Sequence, residues 1–200
     1  MLLSTFELLL KPQFPTGVST DPNVAAISRT VLQGYFLTVA NVNFFDVTIS
    51  LVFTIKFPED VTSKSSSPSS FKDFIDAVDI TGSNNLTPPI PLVPELVPAN
   101  NKARITYTIP SNATSLLVLL PDFVSNPQFL TDANFEARGY VEIFLSSLSG
   151  SDAATLLVTP QQRGTFFRDL SATDFPNIGL DQIAYDLPVS NGGVFQLSNA

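Results

Sequence analysis

Between Phe45 and Phe57 every odd-numbered residue is apolar (Phe45, Val47, Ile49, Leu51, Phe53, Ile55, Phe57), while the even positions read Asp46, Thr48, Ser50, Val52, Thr54 and Lys56. Side chains alternate between the two faces of a strand, so a period of two predicts a long β-strand with one face on a core and the other toward water or a partner. The pattern returns over 103–109, where Ala103, Ile105, Tyr107 and Ile109 are in phase. Further strands are predicted over 4–11, 30–40, 114–120, 137–146, 154–159, 164–168, 182–188 and 193–198, bounded by clusters of Gly, Pro, Asn, Asp and Ser. The expected fold is all-β: a single antiparallel β-sandwich, immunoglobulin-like or jelly-roll, in one domain over 1–200.

Asn41-Val42-Asn43, Ser111-Asn112 after Pro110, and Asn191-Gly192-Gly193 read as hairpin turns, the last with glycines free to take positive φ. Phe71, Phe74, Ile75 and Val78 recur at helical spacing behind a Ser70-x-x-Asp73 capping signal, which predicts a two-turn helix. Pro127, with Asn126 as its cap, predicts a second short helix ending at Asp132. The stretch 58–101 reads as a long Ser/Pro-rich insertion. Its serine run, 63–70, predicts an exposed loop, because such sequence gains too little from burial to offset its conformational entropy. Five prolines between 87 and 98 bar a central strand and predict an extended edge segment whose Ile90, Leu92, Val93 and Leu96 need apolar cover.

Several strands are apolar on both faces: Leu116 to Leu120, Ile143 to Leu145, Leu156 to Val158, and Phe166 with Phe167. A second buried face calls for another layer of chain or another subunit, and in a one-domain chain a subunit is the expected source.

Composition narrows the chemistry. Seventeen Phe against four Tyr and no Trp predict a core packed with phenyl rings. With no Cys and no His, disulfides, thiolate nucleophiles, thiolate or imidazole metal ligands and the commonest general base are excluded. Only carboxylate-pair catalysis remains open, so no enzyme and no cofactor are expected. A net charge of −8 and ten dispersed Lys and Arg residues speak against nucleic acid as a partner. No apolar run reaches the roughly 18–20 residues of a membrane helix. The apolar N-terminal segment lacks a basic leader and contains Glu7, so it reads as the first strand, and a cytoplasmic location is expected.

Three clusters carry candidate chemistry. Asp73, Asp76 and Asp79, near Glu59 and Asp60, offer the oxygen ligands calcium takes, but on a helix they form a solvated stripe, which is the favoured reading. Glu136, Arg138 and Glu142 share one side of a strand and read as a cross-strand charge ladder in preference to an acid–base pair. Arg163, Phe166, Phe167 and Arg168 combine two cations with adjacent aromatics and are the best interaction candidate, although a turn with both arginines paired to carboxylates is the plainer alternative.

The succession LTVANVNFFDVTISLVFTI, ARITYTIPSNATSLLVLLP and FEARGYVEIFLSS resembles bacterial immunoglobulin-like β-sandwich modules and, more loosely, the cyanobacterial sensory rhodopsin transducer family. It spans about 30–60 and 102–146. The resemblance implies a soluble, self-associating scaffold linked to binding partners, and carries over no functional residue. The expected function is therefore a non-enzymatic structural or protein-interaction module that forms a homo-oligomer. A carbohydrate-binding module with Tyr35, Tyr107, Tyr140 and Gln33 on a concave face is the first rival. A jelly-roll shell or capsid-type subunit is the second.

Overall fold

The computed structural model describes residues 1–14, 24, 29–57, 68–80, 93–94, 101–167 and 180–199. Its strands are β1 (Leu2–Pro12), β2 (Thr30–Asn41), β3 (Val47–Ile55), β4 (Phe74–Ile80), β5 (Val93–Pro94), β6 (Lys102–Ile109), β7 (Thr114–Pro121), β8 (Phe135–Leu145), β9 (Ala153–Phe167), β10 (Leu180–Asp186) and β11 (Val194–Ser198). The protein is all-β, and every pairing is antiparallel.

Two layers emerge from one hydrogen-bonded network. The first layer runs β1-β8-β3-β6-β5, and the second runs β4-β7-β2-β9, with β10 and β11 dividing the far edge of β9 between them. The layers part along β2. Residues 30–33 of that strand pair with β1, whereas Tyr35 to Ala40 pair with β7. Gly34 stands at the switch, and the reason is steric: a Cβ there would lie 2.2 Å from Leu120 Cδ2 and 2.9 Å from the Leu119 carbonyl oxygen.

The core between the layers holds the phenyl rings the composition called for. Phe6, Tyr35 and Phe53 form one group with centroids 5.5–6.4 Å apart. Phe57, Phe71, Phe74, Phe135 and Phe129 form a chain of tilted and edge-on contacts. Such geometries suit the ring quadrupoles and add to the area-driven burial.

Several expectations are corrected. None of the three turn motifs closes a hairpin, because β2 and β3, β6 and β7, and β10 and β11 do not pair with each other. The first two motifs carry the chain from one layer to the other, and Asn191-Gly192-Gly193 carries it from the outer half of β9's edge to the inner half. The positive φ values are real, at Asn112, Asn191, Gly192 and Gly193. Local turn chemistry sets a change of direction and leaves the partner strand open.

The helix predicted from Phe71 is absent. Ser70 and Asp73 do form the capping box, but it closes one 3-10 turn, Phe71–Asp73, and Phe74 leaves it in extended conformation. The chain then becomes β4, which covers the edge of β7. Phe74 and Val78 fall on the inner side at strand spacing as well as at helical spacing, and the sheet edge decided between the two. The acidic trio is thereby dispersed: Asp73 accepts the Ser69 and Ser70 amides, while Asp76 and Asp79, three apart on a strand, lie on opposite faces. No group of three metal-ligating side chains occurs among the described residues.

The helix near Pro127 is found as Gln128–Asp132, with Pro127 itself at the cap and no side-chain capping bond. The segments predicted as 154–159 and 164–168 are one strand, β9. The stretch 58–101 is more than an insertion, since it supplies β4 and the two-residue β5, the latter in the proline-rich edge segment. Most of the serine run and the side chains of Ile90, Leu92, Val93 and Leu96 lie outside the described residues. No helix among the described residues is long and apolar enough to cross a membrane.

Candidate interaction surface

The outward faces of the two layers differ in kind. On the first layer β3 is buried along its whole length, against the expectation that its even positions would stay open. Thr48 and Ser50 hydrogen-bond across to Thr108 and Thr106, each at 2.8 Å, and β6 and β8 flank the row on either side. Around that row runs the expected charge ladder. Arg138 reaches Glu7 and Glu136 at 2.6 Å each, Glu136 also holds Lys11, and Lys102 lies 3.6 Å from Glu142. The outward side of this layer thus carries internally paired charges, with Tyr140 and Phe144 of β8 exposed beside them.

On the second layer the outward positions are Ile75 and Ala77 of β4, Leu116, Val118 and Leu120 of β7, and Leu32 and Phe36 of β2. All are half-buried, and cross-strand registry sets Val118 beside both Ala77 and Phe36. This is the doubly apolar character anticipated for 116–120. Further along the same face, Leu157 and Val194, directly opposite each other, are each 46% exposed.

Arg163 borders this apolar face. It projects outward from β9, its guanidinium 4.5 Å from the centroid of the Phe36 ring, a cation–π arrangement. Nε and Nη2 donate to Gln161 Oε1 at 3.2 and 2.8 Å, and Gln161 Nε2 donates to Asp186 Oδ1 at 2.8 Å. Among the described residues no carboxylate pairs with Arg163 directly; Gln161 relays the contact. A trough of about 520 Å³ opens here, lined by Leu32, Phe36, Leu120, Arg163 and Ile183.

The four residues singled out in the sequence do not form one patch. Alternation along β9 places Arg163 and Phe167 outward and Phe166 inward, where it pairs with Val31 and Asp181. Arg168 lies outside the described residues. The residue that matters most to Arg163 is Phe36, which was missed. The outward apolar series Leu32, Phe36 and Ala40 in β2 was the available signal, but only strand pairing shows that it lies beside β9.

The sugar-binding platform expected of the first rival is not assembled. Tyr35 and Tyr107 are core residues, 0% and 4% exposed, and Gln33 is buried with its amide turned toward Glu7; only Tyr140 reaches the surface. Burial pushes the Tyr35 phenol above its ordinary range despite a 2.9 Å bond to Ser4, and pushes Tyr107 up to about 12 despite its bond to Ser115. Both hydroxyls are satisfied inside, so these tyrosines serve packing.

At one end of the sandwich the β2–β3 connection shows Val42, Phe44 and Phe45 at the surface, Phe44 being 93% exposed, and Leu148 after β8 is 78% exposed. The amide of Ser146 bonds to the Thr48 carbonyl, which brings these two connections to the same end. Compared with protein-family models and with curated proteins, the chain matches none.

Proposed function

We propose that this protein is a non-enzymatic interaction module that assembles with copies of itself, with the second layer as its contact side. The observation that carries this reading is the contrast between the two outward faces. One carries a network of paired charges with Tyr140 and Phe144 beside it, while the other presents Phe36, Leu116, Val118 and Leu120 contiguously in adjacent strands. A contiguous apolar sheet face on a chain of this size is the mark of a surface that meets a partner. The absence of His and Cys from the sequence and the burial of both core tyrosines agree with a role that turns on contact. The reading places the protein in the cytoplasm, as a scaffold of the kind implied by the resemblance to bacterial immunoglobulin-like modules.

Absolute mass by light scattering after size exclusion, at two protein and two salt concentrations, tests it. The expected result is a multiple of the 21.6 kDa chain that persists or grows in high salt, since salt strengthens apolar contact and screens the repulsion between chains of net charge −8. The double variant Leu116→Thr, Val118→Thr is expected to lower that mass while leaving the far-UV circular dichroism unchanged. A wild type that stays monomeric at every condition overturns the reading.

A further inference from the structure

We infer that β10 is a self-complementary edge, through which two copies pair their second layers into one continuous sheet about a two-fold axis at Ile183. This rests on the self-association proposed above and adds an edge contact to the apolar face named there.

The strand is open to a degree its neighbours are not. Asp181 to Asp186 are exposed at every position, with Ile183 at 46% and Tyr185 at 44%. One edge holds β9 in seven unbroken pairs, and among the described residues no strand pairs with the other. Proteins blunt such edges with charges, Lys above all, with Pro, a bulge or a very short strand. β10 has no Lys, Pro or bulge over Leu180–Asp186, and its two charges, Asp181 and Asp186, both have partners within the chain. Of the other edges, β5 is two residues long and contains Pro94, and β11 has five residues, with Phe195 and Leu197 turned into the core; β4 pairs with β7 alone among the described strands, but it carries Asp76 and Asp79 and buries Phe74 and Val78.

Length and charge choose the occupant. Antiparallel pairing of β10 with its own copy engages all seven residues in a single register, the one that sets Ile183 against Ile183 of the second copy. That register sets Asp181 against Tyr185 and Asp186 against Leu180, so no two carboxylates face each other. The strand's two carboxylates are also answered within the chain, Asp181 by Arg29 and Asp186 by Gln161, which leaves little for a basic peptide to neutralise. A two-fold contact of this kind closes on itself and does not propagate into fibres. A seven-residue edge is small beside the roughly 20–30 residues a side of a standard interface, so the dimer is reversible. Edge pairing leaves the apolar outward faces of both copies uncovered and side by side, so the edge contact and the face contact can be tested separately.

The chain has no Cys, so a single introduced thiol reports without interference. In an antiparallel pair, opposed Cα atoms lie about 4.5–5.5 Å apart, inside the window a disulfide tolerates. Ile183→Cys is therefore expected to form a covalent dimer under mild oxidation with diamide. Leu148→Cys, more exposed but in the connection after β8 and away from both contacts, is expected to stay monomeric on a non-reducing gel. Ile183→Lys sets two ammonium groups against each other at the axis and is expected to weaken the dimer about tenfold or more by light scattering, with unchanged circular dichroism. A multimeric wild type whose mass is untouched by Ile183→Lys overturns the edge and spares self-association, as does cross-linking no faster through Cys at 183 than at 148. A monomeric wild type removes both.

Discussion

Asn43 and Thr155 are joined as two strand residues would be, although one of them contributes only its side chain. The Asn43 amide donates to the Thr155 carbonyl at 2.8 Å and accepts the Thr155 N–H at 3.2 Å. Asn43 is in turn held by Asn41, whose Oδ1 accepts both the backbone and side-chain N–H of Asn43 at 3.0 and 2.8 Å. Asn41 Nδ2 lies within 3.0 Å of the carbonyls of Phe45, Ile109 and Pro110. Two amides thus tie the β2–β3 crossing to the β6–β7 crossing and to the start of β9.

Replacing Asn41, which is 1% exposed, by Ala strands the buried Ile109 carbonyl and is expected to cost about 3 kcal/mol. Asn43→Ala is expected to cost about 1–2 kcal/mol, since part of its environment is open to water. Urea unfolding followed by circular dichroism checks both, and equal costs at the two sites would contradict the arrangement.

Gly139→Ala is expected to destabilise by about 3 kcal/mol, because the new Cβ would sit 2.1 Å from the Thr54 carbonyl oxygen and 2.9 Å from Phe6 Cζ. The Thr54 backbone belongs to the central strand of its layer and cannot step aside. Gly150→Ala meets nothing within 4 Å and is expected to stay within about 0.5 kcal/mol of wild type. Thermal melts of the two variants give the comparison directly.

Alkaline pH should unfold the protein through its buried phenols. The folded state holds Tyr107 protonated up to about 12 and Tyr35 higher still, while the unfolded chain releases these protons near the ordinary phenol value of 10.0. The folded state thus binds more protons above pH 10, and stability falls as pH rises. The contribution of these groups is complete below pH 10 and is lost as pH climbs through about 12. For Tyr107 it amounts to roughly 2–3 kcal/mol. Absorbance at the phenolate band, recorded beside circular dichroism, should show two tyrosines ionising only as the fold is lost. Tyr107→Phe should make the alkaline loss shallower; ionisation of all four tyrosines in the native state would refute this.

Arg138 touches two carboxylates, yet its side chain is 69% exposed, so Arg138→Ala is expected to cost less than about 1 kcal/mol, and less again in high salt. A denaturation series at two ionic strengths measures it. A larger loss would mean that the ladder holds the β1–β8 register.

The strands were legible because alternation is a local property. Val47 to Ile55, Ala103 to Ile109 and Thr114 to Pro121 each declare an inward face within the segment itself. The Phe71–Val78 segment was not legible, since Phe74 and Val78, four apart, fit the spacing of a strand and of a helix alike, and only the open edge of β7 removed the ambiguity. Arg163 could be named from sequence, but its platform, Phe36, lies far away along the chain and becomes its neighbour only through the β2–β9 register.

The amino-acid sequence by itself determined an all-β chain with a phenyl-rich core, turns at the Asn, Gly and Pro clusters, and a chemistry without thiols or imidazoles, because each follows from residue type and local spacing. Tertiary structure alone decided which strands are partners, that none of the apparent hairpins closes one, that Tyr35 and Tyr107 point inward, and that the paired charges gather on one outward face and a contiguous apolar row on the other. The physical reason is that a strand's backbone leaves donors and acceptors on both edges and carries no address for its partner. The address is written in how distant side chains fill the space between two layers.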